Sequence, residues 1–391
     1  VFMPKAGSNT FGNGVVIINI MQTNTKKEMP KIAIVYLSFY CEPYIDDVVS
    51  ALKKITYPKD KLELIIVDNP HPEHGHSVRY IEDNVMPLSG NEIPHTTLLP
   101  QKENLGFAGG NNAGVDWAIE HGFDYVFFHN NDGFVASNAF EPLVEAMEAD
   151  KEIGLAQSLM LLHPETELLN SAGNSMHYLG FGYCDQYRTK VKDLDLPKIK
   201  EVSYASGAAL MIRTDLIKKF GSWDHDFFLY HEDLEWSFRL RAAGYKIALI
   251  SDSIFYHKYQ FSRSITKFFW MERNRYGVML MFFRWPTLLL LLPMALVLEV
   301  GLWLFAWRGK WVDKRVEVYK YWLKAKNWKL WLSKRKKIQK LRKVSDRYLL
   351  KFTVSGVYFQ EKAMENQLLK YIGNPIMTVY YWVVVKLFIW W

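Results

Sequence analysis

From Lys31 the sequence switches repeatedly between short, continuously apolar runs and stretches with helical spacing, and this switching constrains the fold more than any other feature. "KIAIVYLSF", "LELIIVDN", "TTLLP" and "DYVFFHN" read as strands. Asp46 to Ile55 reads as a helix stopped by Pro58, and "GGNNAGVDWAIEHG" as a second that ends at Gly122. Strands that are apolar without alternation are covered on both faces, which predicts a mostly parallel α/β sheet with helices on each side.

In such sheets ligands lie beyond the carboxyl ends of the strands. Three polar clusters fall there: Asp68-Asn69, the segment from Asn104, and Asn130-Asn131-Asp132. Asp68 could accept hydrogen bonds from a nucleobase or ribose, or merely close an Asx-turn. In "FFHNNDGFV" a single carboxylate, Asp132, stands beside Asn130 and Asn131, so the stretch reads either as a metal site short of one acid or as a polar turn.

"ENLGFAGGNNAG" runs into a helix. Gly106, Gly109 and Gly110 allow close backbone approach, and free N–H groups at a helix start favour anions. Its spacing matches neither the dinucleotide-binding fingerprint nor a P-loop. "ASGAALMIR" is a small-residue turn, including Ser206 and Gly207, ahead of an apolar strand. In "WDHDFFLYHEDLEWSFRLRAAGYKI", Glu232 and Asp233 open a helix where the macrodipole favours carboxylates. Glu235 and Arg239 lie four apart and can pair, and Gly244 ends the helix. The aromatic residues around these acids favour a raised pKa and general-base work. His257 follows the probable strand "YKIALI"; a lone histidine is more often structural than a ligand.

At 391 residues and 49% hydrophobic, the chain has room for more than one domain. Two cysteines, Cys41 and Cys184, are too few for a disulfide framework. Residues 1–30 read as a loose tail whose apolar patch "VVIINIM" is too short for a signal peptide. The net charge of +7 concentrates between Arg308 and Lys351, among tryptophans. Just before it, "PTLLLLLPMALVLEVGLWLFAW" (284–307 as a segment) is roughly the length needed to cross a bilayer, and an apolar block closes the basic, helical region 308–391. Anionic membrane, not nucleic acid, is therefore the expected partner of this region. Cationic flanks favour the cytoplasmic face. Because both flanks are cationic and Pro293 and Glu299 interrupt the apolar run, a span, a re-entrant hairpin and an in-plane helix all stay open.

Together, "NLGFAGGNNAG", "NNDGFV", "SGAALMIR", "FFLYHEDLEWSFRLRAAGY", "HKYQFS" and "MERNRYG", in this order over 31–283, resemble the family 2 inverting glycosyltransferases of GT-A fold, most closely the rhamnosyltransferase-like branch. The resemblance implies a nucleoside-diphosphate sugar donor and a glycan or lipid-linked acceptor in cell-surface polysaccharide or glycolipid synthesis. It implies that Asp68, with Ser38, holds base and ribose, and that Asn104, Gly106 and Gly110 line the nucleotide pocket. Asp132 matches the last carboxylate of the family's D-x-D motif and, with His257, would bind Mg²⁺ or Mn²⁺. Asn130 and Asn131 would position ribose or phosphate. Asp233 matches the catalytic base, with Ser206, Gly207, Glu232 and Arg239 supporting it on the acceptor side. The departure is Asn130, where the motif's first acid would stand. The competing readings are a sugar nucleotidyltransferase, which lacks its expected basic loop near the N-terminus, and a non-enzymatic membrane or nucleic-acid binder using 308–351.

Overall fold

The computed structural model describes residues 28–259, 268–358 and 367–391. Most of the expected N-terminal tail, and Gln260 to Ser262 of "HKYQFS", lie outside the described residues.

The chain runs β1 (Ile32–Ser38), α1 (Ile45–Lys53), β2 (Leu62–Asp68), α2 (Val78–Asn84), β3 (His95–Pro100), α3 (Gly106–Glu120), β4 (Tyr125–His129), β5 (Gly133–Val135), α4 (Phe140–Ala149) and β6 (Ile153–Leu162). Short strands β7 (Leu169–Ser171), β8 (Asn174–His177), β9 (Gly182–Cys184) and β10 (Ile199–Glu201) follow. Then come β11 (Ala209–Arg213), α5 (Thr214–Phe220), α6 (Glu232–Ala242) and β12 (Lys246–His257). The chain closes with α7 (Phe268–Phe282), α8 (Trp285–Arg308), α9 (Val312–Trp322), α10 (Ala325–Leu341), α11 (Asp346–Lys351), β13 (Thr353–Val354) and a helical run over 369–388.

Ten strands form one sheet, ordered β10-β12-β6-β11-β4-β1-β2-β3, with β5 on β12 and β7 on β6. β3, β2, β1 and β4 are parallel, as expected from their unbroken apolar runs. β11 enters antiparallel between β4 and β6. That reversal puts the turn before β11 at the carboxyl end of β4.

Alternate residues of one strand feed two cores, the physical reason both faces had to be apolar. Ile32, Ile34 and Tyr36 pack with α1 and α4; Ala33, Val35 and Leu37 pack with α3, α5 and α6. A third core joins α6, through Leu234 and Phe238, to α7, α8, α10 and the 369–388 run. The pairing of β13 with β8, across more than 170 residues of chain, adds a backbone link to the same region.

Candidate active site

The expected site residues converge on the carboxyl edge of the sheet. Ser38 and Asp68 sit opposite each other at the ends of β1 and β2. The Ser38 hydroxyl donates to Asp68 Oδ1 at 2.7 Å, and His76 Nδ1 faces Asp68 Oδ2 at 2.7 Å. Asp68 is fully buried, whereas His76 is exposed. The outward polar face at this strand end is thus an imidazole held by a carboxylate, and in the same loop His74 stacks on Tyr40 at 3.8 Å.

At the end of β3, Asn104 Oδ1 accepts from the Gly106 N–H at 2.9 Å, closing the turn that starts α3. Gly106 has φ +71° and its missing side chain is replaced by Phe228, whose ring would stand 2.7 Å from a Cβ. Gly110 lets α3 press on the sheet, since a Cβ there would meet Leu37 at 2.4 Å and Asn69 at 2.8 Å. The space beside these two glycines is therefore filled by protein. The two asparagines that followed them have structural tasks: Asn111 Nδ2 donates to Phe107 O and Asn112 Nδ2 to Trp223 O, both at 2.9 Å.

Past β4 the chain turns through Asn130-Asn131-Asp132 into β5, and β5 pairs with the end of β12 so that Gly133 faces His257. This register brings Asp132 to His257: Oδ1 lies 2.9 Å from Nε2. Gly133 is obligatory, because a Cβ would sit 2.3 Å from the Phe255 ring. On the far side, His257 Nδ1 meets Asn170 Oδ1 at 2.9 Å. With the proton on Nδ1 toward Asn170, the Nε2 lone pair faces a carboxylate, an arrangement that needs a cation or a donor. The Asn130 amide supplies one here, 2.5 Å from Asp132 Oδ1 and 3.3 Å from His257 Nε2. Asn131 Nδ2 instead donates to Phe39 O.

This donor set fits a divalent metal. A ligating histidine characteristically donates its other ring N–H to an oxygen acceptor. Adjacent ligands about 2.1 Å from an octahedral ion stand roughly 3.0 Å apart, close to the separation of Oδ1 and Nε2. Among the described residues no group of three or more His, Cys, Asp or Glu side chains is placed to hold a metal. The protein would contribute two ligands, leaving the rest of the shell to substrate and water.

Acids occupy the first turn of α6. Gly207 donates its N–H to Asp233 Oδ2 at 3.3 Å, and the Leu234 N–H donates to Oδ1 at 2.8 Å. Burial pushes the Asp233 carboxyl up to about 6, against the pull of these N–H groups. Glu232 is pushed well above the usual carboxylate range, first by burial and then by the charge on Asp233. Among the described residues its Oε2 has no hydrogen-bond partner. Of these two neighbouring carboxyls Glu232 is buried and Asp233 is partly exposed, so burial favours the neutral form more strongly at Glu232. Asn130 N donates to Ala208 O at 3.0 Å, tying the Asp132 turn to the Ser206-Gly207 turn that supports the base. The Ser206 N–H is itself fixed by Gln157 Oε1 at 2.8 Å.

Arg239 pairs with Glu235 at 2.6 Å, as the four-residue spacing predicted, and also donates to Phe220 O and Ser222 O. It fixes the loop before the base and reaches the site only through it.

A profile of the family described as "Glycosyltransferase like family 2" matches residues 30–276, well over half of the chain. The chain belongs to glycosyltransferase-like family 2. Its mostly parallel sheet with helices on both faces is the architecture that the sequence resemblance implied. Among solved structures it resembles GalNAc-T7 with UDP, GalNAc and Mn²⁺ at 13% identity, over 65% of this chain and 48% of that one, with a TM-score of 0.49. It resembles the mannosyltransferase PcManGT from Pyrobaculum calidifontis with GDP-Man and Mn²⁺ at 14% identity, over 65% and 64% of the two chains, TM-score 0.43. S. aureus TarS 1–349 matches at 13% identity over 91% and 90%, TM-score 0.47. This chain spans about half the length of the GalNAc-T7 structure. A search of curated proteins returned no match.

Three polar residues at this edge were missed in the sequence. Asn170 and Gln157 carry no local signal, since their partners lie 87 and 49 residues away. His76 had one: the three imidazoles of "HPEHGHS" directly after a strand end.

Proposed function

We propose that this glycosyltransferase moves a sugar from a nucleoside-diphosphate sugar to a hydroxyl of a glycan or lipid-linked acceptor, with inversion, in cell-surface polysaccharide or glycolipid synthesis on the cytoplasmic face of a membrane. The observation that carries the reading is the Asp233 carboxyl, fixed by the Gly207 and Leu234 N–H groups, at the same sheet edge as the Asp132–His257 pair. Asp233 takes the proton of the acceptor hydroxyl while that oxygen bonds to the anomeric carbon and the bond to the diphosphate breaks on the opposite face. Asp132 and His257 would hold Mg²⁺ or Mn²⁺, which when bound supplies Lewis-acid stabilisation of the leaving diphosphate. The Asn130 amide, which lies against both of them, would with Asn131 position ribose or phosphate. Ser38, Asp68 and His76 form the base and ribose end, and the Asn104–Gly110 turn the pocket's floor. "RNR", Arg273 to Arg275, supports the rhamnosyltransferase-like branch.

The reaction is tested by incubating the protein with a panel of nucleotide sugars and a lipid-linked acceptor and following the new anomeric proton by NMR. The expected product has the anomeric configuration opposite to the donor's; retained configuration would refute single displacement. The metal is tested by titrating Mn²⁺ calorimetrically in the presence of each nucleoside diphosphate. Asn170→Ala is expected to weaken Mn²⁺ binding by about 10–100-fold, the usual effect of removing a partner that orients a ligating histidine. Equal affinities in the two proteins would take Asn170 out of that role.

A further inference from the structure

Among the described residues one helix, α8, is long and apolar enough to cross a membrane, with a mean hydropathy of 2.4. Its contacts say how it meets lipid. Thr287, Leu291 and Met294 are buried against the third core. Trp285, Leu289, Leu292, Leu296, Val300, Leu304 and Trp307, spaced three or four apart, form an exposed stripe on another face. The helical run 369–388 repeats the pattern. Met377, Tyr381, Val385 and Ile389 face inward, while Ile376, Val379, Val383, Leu387 and Trp390 are exposed. The two segments are joined: Tyr380 donates to Leu290 O, and Trp391 Nε1 donates to Thr287 Oγ1 at 2.9 Å.

α8 is also bonded to the body at its start and past its middle. Asp346, on α11, accepts from the Arg284 N–H at 2.9 Å and from the Thr287 hydroxyl. Twelve residues beyond Thr287, Glu299 pairs with Arg275 of α7 at 2.9 Å and with Arg315 of α9, and accepts from Tyr319 at 2.6 Å. Arg275 also donates to Leu179 O at 3.1 Å, beside the small sheet. Twelve residues of helix, about 18 Å, therefore lie along the protein surface. To cross a bilayer, α8 would have to carry the Glu272–Arg275–Glu299–Arg315 cluster and its attached strands into hydrocarbon, where each charge costs several kcal/mol or more.

We propose that α8 and the 369–388 run form an in-plane, monotopic anchor, seated in the interface of an anionic bilayer without spanning it. The exposed stripes are free of acids, and Arg284, Arg308, Lys310 and Lys370 are exposed beside them. Tryptophans at both ends of the α8 stripe, and basic residues next to it, suit the headgroup level of anionic lipid. An interfacial helix inserts about 5–10 Å, enough to cover these stripes. The anchor deepens the membrane part of the proposed function and needs no part of the transfer chemistry. Vesicle binding is read without any sugar donor, so failure of either reading leaves the other standing.

The full chain with Cys184→Ser, to remove the more accessible native thiol, carries a single added cysteine from Leu289→Cys, Leu296→Cys or Leu304→Cys. Each is labelled with an environment-sensitive dye and mixed with phosphatidylcholine vesicles containing phosphatidylglycerol and spin labels at two depths. All three dyes are expected to be quenched chiefly by the shallow label and to similar extents. A spanning helix would place Leu289 and Leu304, about 22 Å apart along the axis, at opposite interfaces with Leu296 deepest, and that pattern would overturn the proposal. A companion variant, Leu296→Glu with Val379→Glu, changes only exposed positions. It is expected to lower vesicle partitioning at least tenfold with an unchanged melting temperature. Undiminished partitioning, or a stable lipid-free dimer by light scattering with no vesicle binding, would likewise overturn it, the second result assigning the face to another copy of the chain.

Discussion

Asp233→Asn is expected to lower kcat by about 10²–10⁴-fold, the range that a positioned general base supplies, with donor affinity within a few-fold of the parent. The amide keeps the volume, and its one oxygen can still accept from the Leu234 N–H, while its nitrogen takes the place of the oxygen that faces the more distant Gly207 N–H. It cannot take a proton. Glu232→Gln is the control, because a carboxyl already kept neutral by burial loses little when made an amide; its turnover should stay within about tenfold of the parent. If Glu232→Gln proved the dead variant, the roles would be reversed. The pH profile adds a second readout. A base whose carboxyl sits at about 6 is protonated and idle below that pH and ionised above it, so kcat should rise through pH 6 and level off before pH 8. Stability runs the other way. The folded carboxyl binds its proton more tightly than the unfolded one, so stability falls as pH rises from about 4 to 6. Asp233→Asn removes the buried charge but gives up one of the two N–H contacts, so it should melt close to the parent at pH 7.5, which separates lost chemistry from lost fold.

How much of this could be read in advance depended on whether an interaction was local. β1, β2 and β4 were legible because burial on both faces writes itself as an unbroken apolar run. Glu235 and Arg239 were legible because a helix brings residues four apart together. The start of α6 at Glu232 agreed with its acids. Long-range geometry was another matter. His257 was read as lying just after a strand; it is the last residue of β12, and only the pairing with β5 shows that it meets Asp132. The glycines of "GFAGGNNAG" read as room for a ligand, yet the packing of Leu37, Asn69 and Phe228 against them is visible only once strand and helix are stacked. In the same way α8 is apolar around its whole circumference in sequence. The choice between crossing and lying flat rests on Asp346, Arg275 and Arg315, each distant along the chain or hidden among many other basic residues.

Asn274→Ala is expected to reduce kcat by about 10²-fold although the side chain lies outside the reaction, because small misplacements of a catalytic group cost about that much. The loop that leads into α6 holds Phe228, Tyr230 and His231 at φ +60°, +66° and +65°, conformations that non-glycine residues avoid. Such strain, of order 1–3 kcal/mol per residue, persists only where the surroundings enforce it. Asn274, fully buried on α7, enforces it: its Nδ2 lies 3.0 Å from Phe227 O, 3.1 Å from Leu229 O and 2.7 Å from Tyr230 O. The Phe228 carbonyl, held at the same bend, accepts the Phe107 N–H at 3.0 Å. One amide therefore sets both the helix that carries Asp233 and the turn that opens α3. Removing it leaves buried carbonyls without donors, at about 1–3 kcal/mol for each that is orphaned, and frees the loop to relax toward ordinary φ values. Two signatures distinguish misplacement of the base from general destabilisation. The pH at which kcat half-rises should move down from about 6 as water reaches Asp233. Asn274→Asp, the same size but with no hydrogens to donate, should be worse than Asn274→Ala, because it turns a carboxylate toward carbonyl oxygens. An Asn274→Asp protein as active as the parent, with the same pH profile, would show that this amide does not hold the base in place.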